Sequence, residues 1–173
     1  MSDARWTEIY DDIDAALRHF ENAILIHDEG EISLAGLKGY KASMAFMHAM
    51  QSGHTSFEGA LLRILKLYDE EKPLGESWHR DLIRRVSREV NNRPAVLDDD
   101  LAKAADETRA FRNVATRSYD NFRVDSAGPT VAAARVFIGK LRPSMDRFKI
   151  LIDPPDDDGE GDGSGGSMGG GPT

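Results

Sequence analysis

In residues 8–27, Ile9, Ile13, Leu17, Phe20 and Ile24 recur at spacings of three and four, with acids on the opposite side. That period is the apolar stripe of an amphipathic helix. No stretch of useful length alternates apolar with polar as a half-buried strand would, and no repeat is present. The chain is therefore expected to be all-α. Gly30 ends the first helix. A second helical region spans 33–71, with Ser33 as its N-cap and Leu37, Tyr40, Met44, Met47, Ala60, Leu61, Ile64, Leu65 and Tyr68 on its apolar face. Gly53 and Gly59 interrupt it and predict a bend, and Pro73 and Gly75 stop it.

Ser77 opens a third helix to about Val90, with Trp78, Leu82, Ile83, Val86 and Val90 turned inward. Asn91, Asn92 and Pro94 mark a turn. Asp98, Asp99 and Asp100 then start a fourth helix, where acids suit the positive end of the helix dipole. It carries Leu101, Ala105, Phe111 and Val114 and runs to about Tyr119. After Gly128 and Pro129 a fifth helix presents Val131, Ala134, Phe137, Ile138, Leu141, Met145, Phe148 and Leu151, with a kink expected at Pro143. The expectation is a bundle of about five helices over residues 1–153, long enough for one core.

From Pro154 onward there are eight glycines, five acids, no base and no aromatic. Such a segment buries too little apolar surface to offset its ordering entropy, so 154–173 reads as a disordered acidic and glycine-rich tail. The chain has 173 residues and a formal charge of −8, but the tail's five acids account for most of it. The body is nearly neutral, at 25 acids against 22 bases.

The bases are mainly arginine, 15 to 7 lysines. Nine of the arginines lie between 80 and 123: Arg80, Arg84, Arg85, Arg88, Arg93, Arg109, Arg112, Arg117 and Arg123. Guanidinium forks fit phosphate geometry, so a phosphate-bearing partner is compatible with the acidic total. On charge alone, ion pairing with the eight acids of the same stretch is the simpler reading.

Absence of cysteine excludes disulfides, thiolate metal sites and a cysteine nucleophile. No apolar run is long enough to span a membrane, and the start MSDARWTEIYDD has no apolar signal core, so a cytoplasmic location is expected. His54 and Glu58 share a helix face at i,i+4, whereas His48 falls on the other side. With no third convergent ligand, no metal is expected, and no cofactor motif is present. Met44, Met47 and Met50 read as core or interface filler. Neither a nucleophilic triad nor a phosphate-binding glycine loop appears.

One segment goes further. Residues 111–119 read Phe-Arg-Asn-Val-Ala-Thr-Arg-Ser-Tyr. They resemble the active-site signature of HEPN-domain ribonucleases, most closely the HepT-like toxins: an arginine, a polar residue, three more residues, a histidine, one residue, a tyrosine. Arg112, Asn113 and Tyr119 match, while Arg117 occupies the histidine position. Glu76-Ser77-Trp78-His79-Arg80-Asp81-Leu82, the Arg93-Pro94 turn, Asp125 and the Met-His-Ala-Met-Gln-Ser-Gly-His-Thr run also look familial. The resemblance covers about 8–152.

It implies a helical homodimer, a metal-independent endoribonuclease acting on RNA, and a nucleotidyltransferase-type antitoxin partner that in some systems modifies the motif tyrosine with AMP, here Tyr119. Arg112 would hold phosphate, Asn113 would position groups, and Arg117 and Tyr119 would complete the set. On one helix Arg112 and Arg117 are about 140° apart, so a site shared between two subunits would aim the groups better. Arginine cannot serve as a general base near neutral pH. A compensating histidine would have to be His48, His54 or His79. The competing readings are a non-catalytic HEPN interaction module and a helical regulator that senses a small anion.

Overall fold

The computed structural model describes residues 3–117 and 127–154. Tyr119, Asp125 and the tail from 155 lie outside the described residues, as does the side chain of Arg117. Five α-helices follow one another: α1 (Asp3–Asp28), α2 (Gly36–Leu67), α3 (Trp78–Val86), α4 (Asp99–Arg117) and α5 (Ala127–Ile152). No strand occurs among the described residues, and the all-α bundle agrees with the periodicity.

The stripes explain the packing. Helices α1 and α2 lie along one another, and α5 packs on α1 and α4. Ile9, Ile13 and Phe20 of α1 are fully buried. Phe20 stacks on Phe137 of α5 at 4.6 Å, and Phe57 of α2 meets the same ring edge-on at 4.8 Å. At the far end, the Trp6 indole N–H donates to Asp153 Oδ2 at 3.0 Å and ties the start of α1 to the end of α5.

Gly53 and Gly59 do not break α2, which runs unbroken from Gly36 to Leu67. They serve the α1–α2 contact instead. A Cβ on Gly53 would stand 2.8 Å from the Phe20 ring, and one on Gly59 would stand 3.0 Å from Asp12. The Phe20 ring is trapped against Phe137, whereas Asp12 is partly exposed and held only by a surface ion pair with Arg63 that can shift. Gly53→Ala is therefore expected to lose about 1–3 kcal/mol to overpacking, set against about 1 kcal/mol of better helix propensity. Gly59→Ala should be neutral or stabilising. Paired urea melts check the contrast; equal midpoints would refute it.

Other expectations need correction. Ser33 does not cap α2: Gly30, at φ 74°, starts a short 3-10 turn over Glu31–Ser33, and α2 begins after Ala35. In the first turns of α2, Leu37 and Tyr40 are exposed rather than inward. Val114, Ile138 and Leu151 are also exposed. Pro143 is accommodated inside the continuous α5. Asp98 does act as foreseen, since its Oδ1 accepts the Leu101 N–H at 2.8 Å as an N-cap.

Helix α3 stops at Val86, four residues earlier than the pattern suggests. Arg93 is the reason. It is fully buried, and it donates to the carbonyls of Arg85 (3.0 Å), Arg88 (3.4 Å) and Pro94 (3.0 Å) and to Glu70 Oε1 (2.5 Å). The Arg85 carbonyl, which would have continued the helix, is taken by this guanidinium, and the Val86 carbonyl by the Val96 N–H at 2.7 Å. The chain then reverses through a Val90–Arg93 backbone pair, with Asn91 at φ 52°.

Candidate functional site

Polar groups from three helices meet where α3 crosses α2 and α4. Glu58 of α2 is buried and faces two histidines. His79, in the first turn of α3, lies with Nδ1 2.6 Å from Glu58 Oε1. His54, one turn before Glu58, is fully buried, with Nε2 3.1 Å from the same oxygen. That contact is at ion-pair distance but lies off the hydrogen-bond line. On its other side, His54 Nδ1 is 2.8 Å from Thr108 Oγ1 of α4. One turn beyond Thr108, Arg112 Nη1 donates to His79 Nε2 at 3.0 Å.

Arg112 settles the tautomer of His79. Guanidinium has only donors, so Nε2 must present its lone pair, and the ring proton of the neutral imidazole is on Nδ1, where Glu58 accepts it. Burial works to raise the Glu58 carboxyl above its ordinary range, but His54 and then His79 outweigh this and leave it below that range. Glu58 is therefore a buried carboxylate, hydrogen-bonded to His79 and at ion-pair distance from His54.

The third convergent group that the sequence did not reveal beside His54 and Glu58 is thus His79. One ligand atom from each of His79, His54 and Glu58 lies within 4.8 Å of the others, a spacing a cation could use. The geometry suits a proton chain better. Two ligand atoms on one tetrahedral zinc would be about 3.3 Å apart, given bonds of about 2.0–2.1 Å. The His79–Glu58 separation of 2.6 Å is that of a hydrogen bond, and the proton on Nδ1 occupies the lone pair a metal would need.

Of the residues the sequence singled out, Arg112 is half-buried and faces this cluster, and Asn113 is half-buried beside it on α4. Arg117 is the last described residue of α4. His48 lies elsewhere, near Ser52 at 3.5 Å and edge-on to His19. Sequence reasoning paired Glu58 with His54 but missed the contact of Glu58 with His79 and that of His54 with Thr108. A glutamate at i,i+4 from a histidine was visible, but its contact with α3 was not.

The arginine-rich stretch also departs from the ion-pairing expectation. Arg93 pairs with Glu70 and Arg109 with Asp106. Arg80, Arg84 and Arg88, at four-residue steps along α3 and just beyond it, are exposed and have no acidic partner within 4 Å among the described residues. With Lys103 of α4 they line a groove of about 540 Å³, which Asp99, Asp106 and Glu107 also border.

Fold and site together define a helical bundle that holds an arginine against a carboxylate-supported histidine, beside a row of exposed arginines. The family model described as HepT-like protein matches residues 45–152, and the chain belongs to that family. The matched stretch contains Glu58, His79 and Arg112, and the HEPN, HepT-like resemblance is borne out. Comparison with curated proteins and with solved structures finds no match. No helix among the described residues is long and apolar enough to cross a membrane.

Proposed function

We propose that this protein is the toxin of a toxin–antitoxin module, an endoribonuclease that cuts RNA without a metal. The observation that carries the reading is Arg112, the motif arginine of a HepT-like chain, hydrogen-bonded to a histidine that a buried carboxylate supports. In such cleavage the ribose 2′-oxygen attacks phosphorus while the bond to the 5′-oxygen breaks, leaving a 2′,3′-cyclic phosphate and a 5′-hydroxyl. Arg112 neutralises the crowded phosphate with parallel donors. Asn113 orients the attacking group, and Arg80, Arg84 and Arg88 attract the flanking phosphates. The protein works as a homodimer, with Arg117 and Tyr119 completing the site, a nucleotidyltransferase-type antitoxin as partner and Tyr119 as the modified residue.

The test is cleavage of an RNA panel in a chelator. Arg112→Ala is expected to lower kcat by about 10²–10³-fold, the effect of removing one donor to developing charge. Unchanged cleavage by Arg112→Ala would refute the assignment. A second reading, a non-catalytic HEPN module that binds its partner protein, is favoured by Arg117 at the motif histidine. It gains if neither this protein nor Arg117→His cuts RNA while a nucleotidyltransferase co-purifies.

A further inference from the structure

Resting on that reading, we infer that His79, not the residue at the motif's histidine position, is the proton-transfer group of this site, and that Glu58 positions it. Of the three histidines able to compensate for Arg117, only His79 combines support with access. His54 is sealed in the core. His48 faces His19. His79 keeps 16% of its side chain exposed, its Nδ1–H is anchored on Glu58, and its Nε2 lone pair points at the motif arginine. A carboxylate holding one ring nitrogen so that the other is basic and outward is the arrangement that makes histidine a general base. His54 lies 3.1 Å behind the carboxylate and is itself held by Thr108. Trp78 packs on the ring at 3.6 Å, under Lys72 Nζ.

The step balances simply. With no RNA present, Arg112 covers the lone pair; when its guanidinium turns to a phosphate, Nε2 is uncovered. Nε2 takes the proton of the 2′-hydroxyl as the 2′-oxygen bonds to phosphorus. The 5′-oxygen leaves with the electron pair of its bond and takes a proton from water. The imidazolium then returns its proton to the hydroxide so formed. Among the described residues, the charged and titratable groups facing His79 are Glu58 and, behind it, His54 from α2, and Arg112 from α4.

The experiment compares this protein, His79→Gln, Glu58→Gln, Arg112→Ala and Arg117→His on the same RNA panel in EDTA, with circular dichroism melts to confirm folding. The unaltered protein is expected to cut. His79→Gln should lose about 10²–10⁴-fold in kcat with KM little changed. Glu58→Gln should cut more slowly and move the acid limb of the pH profile to lower pH, because a neutral amide no longer stabilises the imidazolium. Full activity in His79→Gln overturns the inference, and the ribonuclease reading then survives if Arg112→Ala is dead. Cleavage by Arg117→His alone also overturns it, again sparing that reading. Silence from every variant sinks both. Activity lost in EDTA and restored by a divalent cation overturns the proton chain in favour of a metal. Should His79→Gln fail to fold, the ¹⁵N spectrum of the unaltered protein decides: the inference requires His79 protonated at Nδ1 and bare at Nε2, and the opposite tautomer refutes it.

Discussion

Arg93→Ala is expected to destabilise the protein by about 3–5 kcal/mol, the cost of removing one partner from a buried ion pair. Arg93 is fully buried, and its removal strands Glu70, itself only 10% exposed, together with the carbonyls of Arg85, Arg88 and Pro94. Each buried acceptor left without a donor adds its own desolvation cost. Arg93→Met combined with Glu70→Leu should recover much of the loss, because it removes both charges while keeping bulk. Urea denaturation of the single and double variants checks this, and a single-variant loss below about 1 kcal/mol would show that the clamp contributes little. The consequence reaches the site, since Arg93 closes α3, the helix that presents His79 to Glu58 and Arg112.

Phe137→Ala should cost a comparable amount, about 3–5 kcal/mol. Phe137 is fully buried, and Phe20 and Phe57 both rest on its ring. Truncation removes apolar contact from three helices at once and leaves a cavity that two rigid rings cannot collapse into. Ile138→Ala, one residue on and 40% exposed, is the internal comparison and should change stability by less than about 0.5 kcal/mol. Equal losses at 137 and 138 would mean that the stacked rings are not the centre of the core.

The two neighbours also show what periodicity can and cannot deliver. Both were expected on the inward face of the fifth helix, and only one is there. A stripe wide enough to be recognised spans more of the helix than any one neighbour covers, so its margins are decided by where the adjacent helices end. Leu37 and Tyr40 make the same point at the start of α2, where both are exposed.

What the sequence by itself determined is local. The 3.6-residue period set the five helices, Asp98 set the start of α4, and residues 111–119 carried the family resemblance. These features are legible because each depends on residues within a turn or two of one another. The early stop of α3, the role of Gly53 and the identity of the histidine beside Arg112 depend on contacts between residues tens of positions apart. Glu58 is 21 residues from His79, and His79 is 33 from Arg112. Polar groups that meet across helices follow no period. Only the packing of α3 between α2 and α4 brings one histidine, out of five, onto a buried carboxylate with its free nitrogen toward the motif arginine.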